Sequence, residues 1–203
     1  MKKYTFYATD CESTGFSSTI NDIIELSLYR LSDDTQKTWC IKPINFDNIE
    51  PDALRINGHK LADLKGETKY GIETYKDPNK VIIEIENWLA EDDSAAADRC
   101  LIGHNVPFDK GMMEHLWIKC NAADSFPFGR RYLDTMQIAL MTDYIQNSID
   151  ENYSLDIGYS LHQLSKKFSI KNEKEHSAAA DTKCAVEIFK KQIDFFKTHL
   201  HFE

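Results

Sequence analysis

Partway along the chain the hydrophobic period changes from two to 3.6, and few architectures accommodate that change. Residues 4–12 alternate as a strand does, residues 21–31 (NDIIELSLYRL) do so again with Ile24, Leu26 and Leu28 on one face, and residues 38–42 read as a third strand. Short turns between them predict an antiparallel meander. Helical patterning then appears at 51–56 and 59–64, and more strongly at 80–91, where Val81, Ile82, Ile85, Trp88 and Leu89 form one stripe. The acidic, alanine-bearing run 91–98 reads as a loop. Residues 100–103 form a short apolar run suited to a buried strand, and Pro107 stands where the first turn of a helix carrying Phe108, Met112 and Leu116 should begin. A last strand is expected at 131–134, with helices at 135–145, 161–168 and 181–200. Strands first, then strands alternating with helices, predict an α/β fold with a mixed sheet and helices packed on it.

The 203 residues, 42% of them hydrophobic, are enough to bury one substantial core, so a single domain over 1–203 is expected. No run of about 18 apolar residues is present to span a bilayer, and Met1-Lys2-Lys3-Tyr4 leads into alternating residues rather than a secretory apolar segment, so membrane association is not expected. The five cysteines, Cys11, Cys40, Cys100, Cys120 and Cys184, are odd in number, scattered and never in a C-x-x-C pair; a reducing, cytoplasmic setting fits them best. A net charge of −9 counts against a broad basic surface for gripping duplex nucleic acid. With a nucleic-acid partner, bound metal ions would have to supply much of the local positive charge.

Asp10 and Glu12 lie two residues apart at the end of the first strand, so both carboxylates share one face while Cys11 turns into the core. Such close like charges raise each other's pKa unless a cation neutralises them, and hard divalent ions take oxygen ligands of this kind. With 33 acidic residues in 203, about five such pairs arise by chance, so the pair alone says little. Its context says more: Ser13-Thr14-Gly15 follows at once and would let the backbone turn sharply with N–H groups exposed.

Two further segments carry acids at helix starts. In His104-Asn105-Val106-Pro107-Phe108-Asp109, the aspartate falls in the first helical turn, where the helix dipole favours a carboxylate for purely structural reasons as well. In His176-Ser177-Ala178-Ala179-Ala180-Asp181, three small residues permit close backbone approach before a helix with Cys184, Ala185, Ile188 and Phe189 on its buried side. Taken singly, His176 reads more readily as a solvated loop histidine than as a catalytic one, and Asp181 as another helix-start acid.

In order and spacing, these segments resemble the DEDDh 3′-to-5′ exonucleases, the DnaQ-like family of the ribonuclease H-like superfamily. Residues 10–15 look like its D-x-E-x-T-G motif, residues 104–109 like H-N-x-x-F-D, and residues 176–181 like H-x-A-x-x-D. Ser177 stands where a sister branch carries a tyrosine, which places the chain on the histidine side. Residues 41–43, 51–59, 133–135 and 161–164 also look like landmarks of the family, so the resemblance covers about residues 4–195. Ser13 and Cys11 are mild departures that remove no catalytic atom.

The resemblance implies a ribonuclease H-like fold: a five-stranded mixed sheet with an antiparallel first three strands, flanked by helices on both faces. It also implies that Asp10, Glu12, Asp109 and Asp181 hold two divalent ions, Mg²⁺ or Mn²⁺, about 3.5–4 Å apart, an arrangement that activates a water and stabilises the departing oxygen. His176 becomes the general base, a role suited to an imidazole. Ser13, Thr14 and Gly15 are expected near the terminal nucleotide. Asn105 and Phe108 are candidates for the same surroundings, although turn geometry for the first and core packing for the second are the favoured readings. Lys166, Lys167, Lys171 and Lys174 read as a solvated charge run or as a guide for the phosphate backbone. The implied partner is the 3′ end of single-stranded DNA or RNA, with a DNA polymerase as a further candidate. Three alternatives stay open: an oligoribonuclease-like enzyme for very short RNA, a catalytically idle nucleic-acid or polymerase-binding module, and a hydrolase of other phosphoesters.

Overall fold

The computed structural model describes residues 4–150 and 158–199. Five strands, β1 (Thr5–Ser13), β2 (Ile23–Arg30), β3 (Thr35–Cys40), β4 (Arg99–Gly103) and β5 (Tyr132–Asp134), form one sheet in the order β3-β2-β1-β4-β5. β1 pairs antiparallel with β2 and β2 with β3, whereas β4 runs parallel to β1 and β5 parallel to β4. β1 is thus the central strand. The third strand starts at Thr35 rather than at residue 38 because Thr35 to Lys37 complete the ladder opposite Leu28 to Arg30, where side-chain polarity gave no signal.

Eight helices are described: α1 (Pro51–Asn57), α2 (Leu61–Leu64), α3 (Lys69–Thr74), α4 (Pro78–Leu89), α5 (Val106–Lys119), α6 (Thr135–Ile149), α7 (Leu161–Lys167) and α8 (Ala178–His199). The acidic run 91–98 contains two short 3₁₀ turns, Ala90–Asp92 and Ala96–Asp98. Residue 200, the expected end of the last helix, lies outside the described residues. α3 has no apolar period in sequence. It forms because Thr68 caps it through the Gly71 N–H, and Gly71 packs so closely on the Asp63 carbonyl that a Cβ would collide with it.

Strand parity divides the core. Tyr7 and Cys11 of β1, with Leu26 and Leu28 of β2, face α4 and α5 in a cluster that includes Val81, Ile85, Trp88, Met112, Leu116 and Trp117. Ala8, Tyr29 and Ile102 face the other way, onto Val186 of α8. The opposite side of α8 packs Cys184 and Ile188 against Ala139 and Leu164 of α6 and α7. Helices therefore cover both faces. Among the described residues, no helix is long and apolar enough to cross a membrane.

Candidate active site

Asp10 and Glu12 share the parity of Ala8 and so look toward α8, which begins with Asp181 in its first turn. Oxygen atoms of Asp10, Glu12 and Asp181 lie within 4.8 Å of one another. Asp109 reaches the cluster from the other side: it sits in the first turn of α5, is 3% exposed, and accepts the backbone N–H of Cys11 through Oδ1 at 2.8 Å. Its charge is the largest electrostatic influence on Asp10. All four acids expected from the sequence are thus neighbours, three as a compact set of oxygen donors and the fourth anchored to the intervening backbone.

Their crowding shows in their acidity. Burial first, then the charges of Asp109, Asp181 and Glu12, hold the Asp10 carboxyl well above its ordinary range. Burial and the Asp181 and Glu25 charges push Glu12 up to about 8, against a hydrogen bond from Asn57 that acts to lower it. Burial also raises Asp109, to about 7. Asp181 is raised by burial while hydrogen bonds from Asn172 and the His176 backbone pull the other way. An all-oxygen set of this kind matches the donor chemistry of a hard divalent cation, which would let every carboxylate ionise at neutral pH.

Two left-handed residues shape the rim. Asn105 (φ +59°) joins β4 to α5, its N–H held by Asp134 Oδ1 at 3.1 Å; its exposed side chain makes no capping bond. His176 (φ +61°) is exposed above the cluster and donates its backbone N–H to Asp181 Oδ2 at 3.0 Å. Phe108 packs its ring against the main core. His104 links β4 to α6 through Thr135 at 3.0 Å, and its burial lowers its pKa.

The hydroxyls after Glu12 are engaged within their own loop. Ser13 Oγ donates to the Gly15 carbonyl, and Thr14, fully buried, accepts the Asp22 N–H on Oγ1 at 2.9 Å. Gly15 is required for close approach, since a Cβ there would collide with Asn21 and Glu50. Among the lysines, Lys167 pairs with Asp143 and Lys171 with Glu173, while Lys174 lines a cleft of about 390 Å³ together with His176, Glu25, His59 and Tyr75.

Three supporting residues have roles that the motifs do not reveal. Glu25 stands directly opposite Glu12 across the β1–β2 ladder, and its pKa is lowered: burial acts to raise it, but the hydrogen bond and charge of His59 prevail. Asn57, at the end of α1, donates to the Ser13 carbonyl at 3.1 Å and acts against the rise in the Glu12 pKa. Asn172 donates to Asp181. The i, i+2 parity of β2 offers a weak signal for Glu25 once register is known; Asn57 falls in the 51–59 landmark without its role being legible there, and Asn172 carries no signal.

A mixed sheet in this order, with an oxygen-donor cluster at the end of its central strand, defines a ribonuclease H-like fold equipped to hold a divalent cation. The family model described as exonuclease matches residues 8–189, and the chain belongs to that DEDDh, DnaQ-like exonuclease family. It is 25% identical over 198 residues to a PolC-type DNA polymerase III of Staphylococcus aureus, an alignment covering 97% of this chain and 12% of that protein. Similar solved structures include E. coli exonuclease I bound to single-stranded DNA (TM-score 0.68, 16% identity, 97% of this chain and 43% of that one). Another is exonuclease I from Methylocaldum szegediense (TM-score 0.71, 16% identity, 97% and 42%). At this identity the likeness is one of fold. The chain spans less than half the length of these exonucleases and about an eighth of the polymerase.

Proposed function

We propose that the chain is a metal-dependent 3′-to-5′ exonuclease that shortens single-stranded DNA from its 3′ end and releases nucleoside 5′-monophosphates. The observation that carries this reading is the convergence of Asp10, Glu12 and Asp181 oxygens within 4.8 Å in a chain of the exonuclease family. DNA is favoured over RNA because the similar E. coli exonuclease I has been solved with single-stranded DNA and with a dT13 oligonucleotide.

In this reading Asp10, Glu12 and Asp181 hold two Mg²⁺ or Mn²⁺ ions, and Asp109 contributes directly or through water. Bound divalent ions would supply charge to stabilise the attacking and departing oxygens of an in-line displacement. His176 takes the proton from the attacking water: its side chain is solvent-accessible and lines the cleft beside Glu25, and its backbone N–H is tied to Asp181, which supports this role. The Ser13-Thr14-Gly15 loop, with Asn105 and Phe108 at the start of α5, sits at the same end of the sheet and would border the terminal nucleotide. Lys174, in the cleft beside His176, would meet a phosphate.

The test is to incubate the protein and an Asp10→Ala variant with 5′-labelled single-stranded DNA, single-stranded RNA and duplexes, with Mg²⁺ or Mn²⁺ and with chelator. A ladder shortening from the 3′ end that needs both metal and Asp10 is expected. Activity surviving chelator and substitution would sink the reading, and cleavage confined to RNA of a few nucleotides would favour the oligoribonuclease alternative. The likeness to a segment of a DNA polymerase supports a second reading, in which the chain works beside a polymerase. Faster removal of a mismatched than a matched primer terminus would favour it.

A further inference from the structure

The loop between α7 and α8 turns back on the helix it precedes. Asn172 Nδ2 donates to Asp181 Oδ1 at 2.5 Å, and the His176 N–H donates to Oδ2 at 3.0 Å, so one short loop grips both oxygens of the carboxylate. The other end of the Asn172 amide is not held: its Oδ1 is buried and lacks a hydrogen-bond partner among the described residues, so the bond to Asp181 is the polar contact that orients the side chain. Buried polar atoms are usually satisfied, and one left without a partner calls for an explanation.

We infer that Asn172 is a positioning residue: it aims the Asp181 carboxylate at the Asp10–Glu12 pair and, through Asp181, secures the loop that carries His176. The inference rests on the reading of these acids as metal ligands. Asp181 faces like charges, and without a hold its side chain would rotate away from them. A neutral amide suits the task. It makes a charge-assisted hydrogen bond, stronger than a neutral one, yet adds no positive charge that would repel a cation. Each carboxylate oxygen accepts one hydrogen bond here and keeps a further lone pair for a metal ion. His176, in the left-handed region that a side chain rarely adopts, is held there by the same carboxylate. Asn172, Asp181 and His176 thus form one mechanical unit in which the amide carries no chemistry itself.

The test uses the full chain with Asn172→Leu, which keeps the branched shape but loses the donor, and Asn172→His, whose Nδ1 can restore it. Asp181→Asn is the reference. Mn²⁺ binding is measured by calorimetry without DNA, alongside melting temperature, kcat and KM. The expected result is Mn²⁺ binding weakened about 10- to 100-fold in Asn172→Leu, a range typical of residues that orient a metal ligand. kcat should fall more than KM rises, and Asn172→His should recover most of both losses. Mn²⁺ binding within twofold of the parent in Asn172→Leu, while Asp181→Asn weakens it at least tenfold, would overturn the inference and leave the metal reading standing. Equal losses in the Leu and His variants would also overturn it. Unchanged binding in Asp181→Asn would overturn the metal reading and the inference with it.

Discussion

The backbone N–H of Cys11 donates to Oδ1 of Asp109 at 2.8 Å, so a carboxylate on α5 is fastened to the peptide unit between Asp10 and Glu12. One bond joins the second motif to the first. It also brings a negative charge beside Asp10, and the protein tolerates that charge only with protons or a cation nearby.

Replacing Asp109 by Asn keeps an acceptor for the Cys11 N–H while removing the charge. The melting temperature without divalent metal should stay within about 2 °C of the parent or rise, because like-charge repulsion is relieved. The increase in melting temperature on adding Mn²⁺ should shrink, and exonuclease activity should fall at least about 100-fold. Thermal melts with and without Mn²⁺, paired with the labelled-DNA assay, check all three.

Stability without metal should decline from about pH 5 to pH 8. Glu12 is pushed from an ordinary 4.5 to about 8, and Asp109 from 3.8 to about 7, chiefly by burial. In those windows the folded chain holds protons that the unfolded chain has released, so the contribution is complete below the ordinary values and disappears as pH rises through the folded ones. A drop of about 3 °C or more is expected across the window. Divalent metal competes with those protons and should bind more tightly as pH rises, so the gap between melts with and without Mn²⁺ should widen toward pH 8.

His176→Ala removes the imidazole but leaves the backbone N–H that Asp181 accepts. Expected are a fall in kcat of about 10²- to 10⁴-fold, a nearly unchanged KM and unaltered Mn²⁺ affinity. Steady-state kinetics beside calorimetry separates this outcome from a structural role, in which metal affinity would drop too.

Gly15→Ala should cost about 1–3 kcal/mol, because the new methyl would press on Asn21. That side chain is 1% exposed and already bonded to the Ser17 N–H and the Asn48 carbonyl, so it has little room to yield. Denaturant unfolding gives the magnitude.

Local rules account for much of what was legible. A period of two puts Asp10 and Glu12 on one face whatever the rest of the chain does, and the switch to a 3.6 period announces helices on a mixed sheet. The family motifs added the expectation that Asp109, His176 and Asp181 belong with that pair. Short, polar or tightly packed pieces stayed silent: α3 depends on Gly71 meeting the Asp63 carbonyl, and the first residues of β3 depend on a ladder partner. Which helix covers the face of Asp10 and Glu12, and which carboxylate is fastened by Cys11, are long-range matters. The parallel β1–β4 pairing and the packing of α8 across the sheet decided them, bringing together groups up to 171 residues apart, from Asp10 to Asp181. Spacing along the chain says nothing about such approach, because burial in a shared core, not local backbone geometry, sets it. For the same reason the bracing roles of Glu25, Asn57 and Asn172, which support the cluster from three different segments, became visible only in the folded chain.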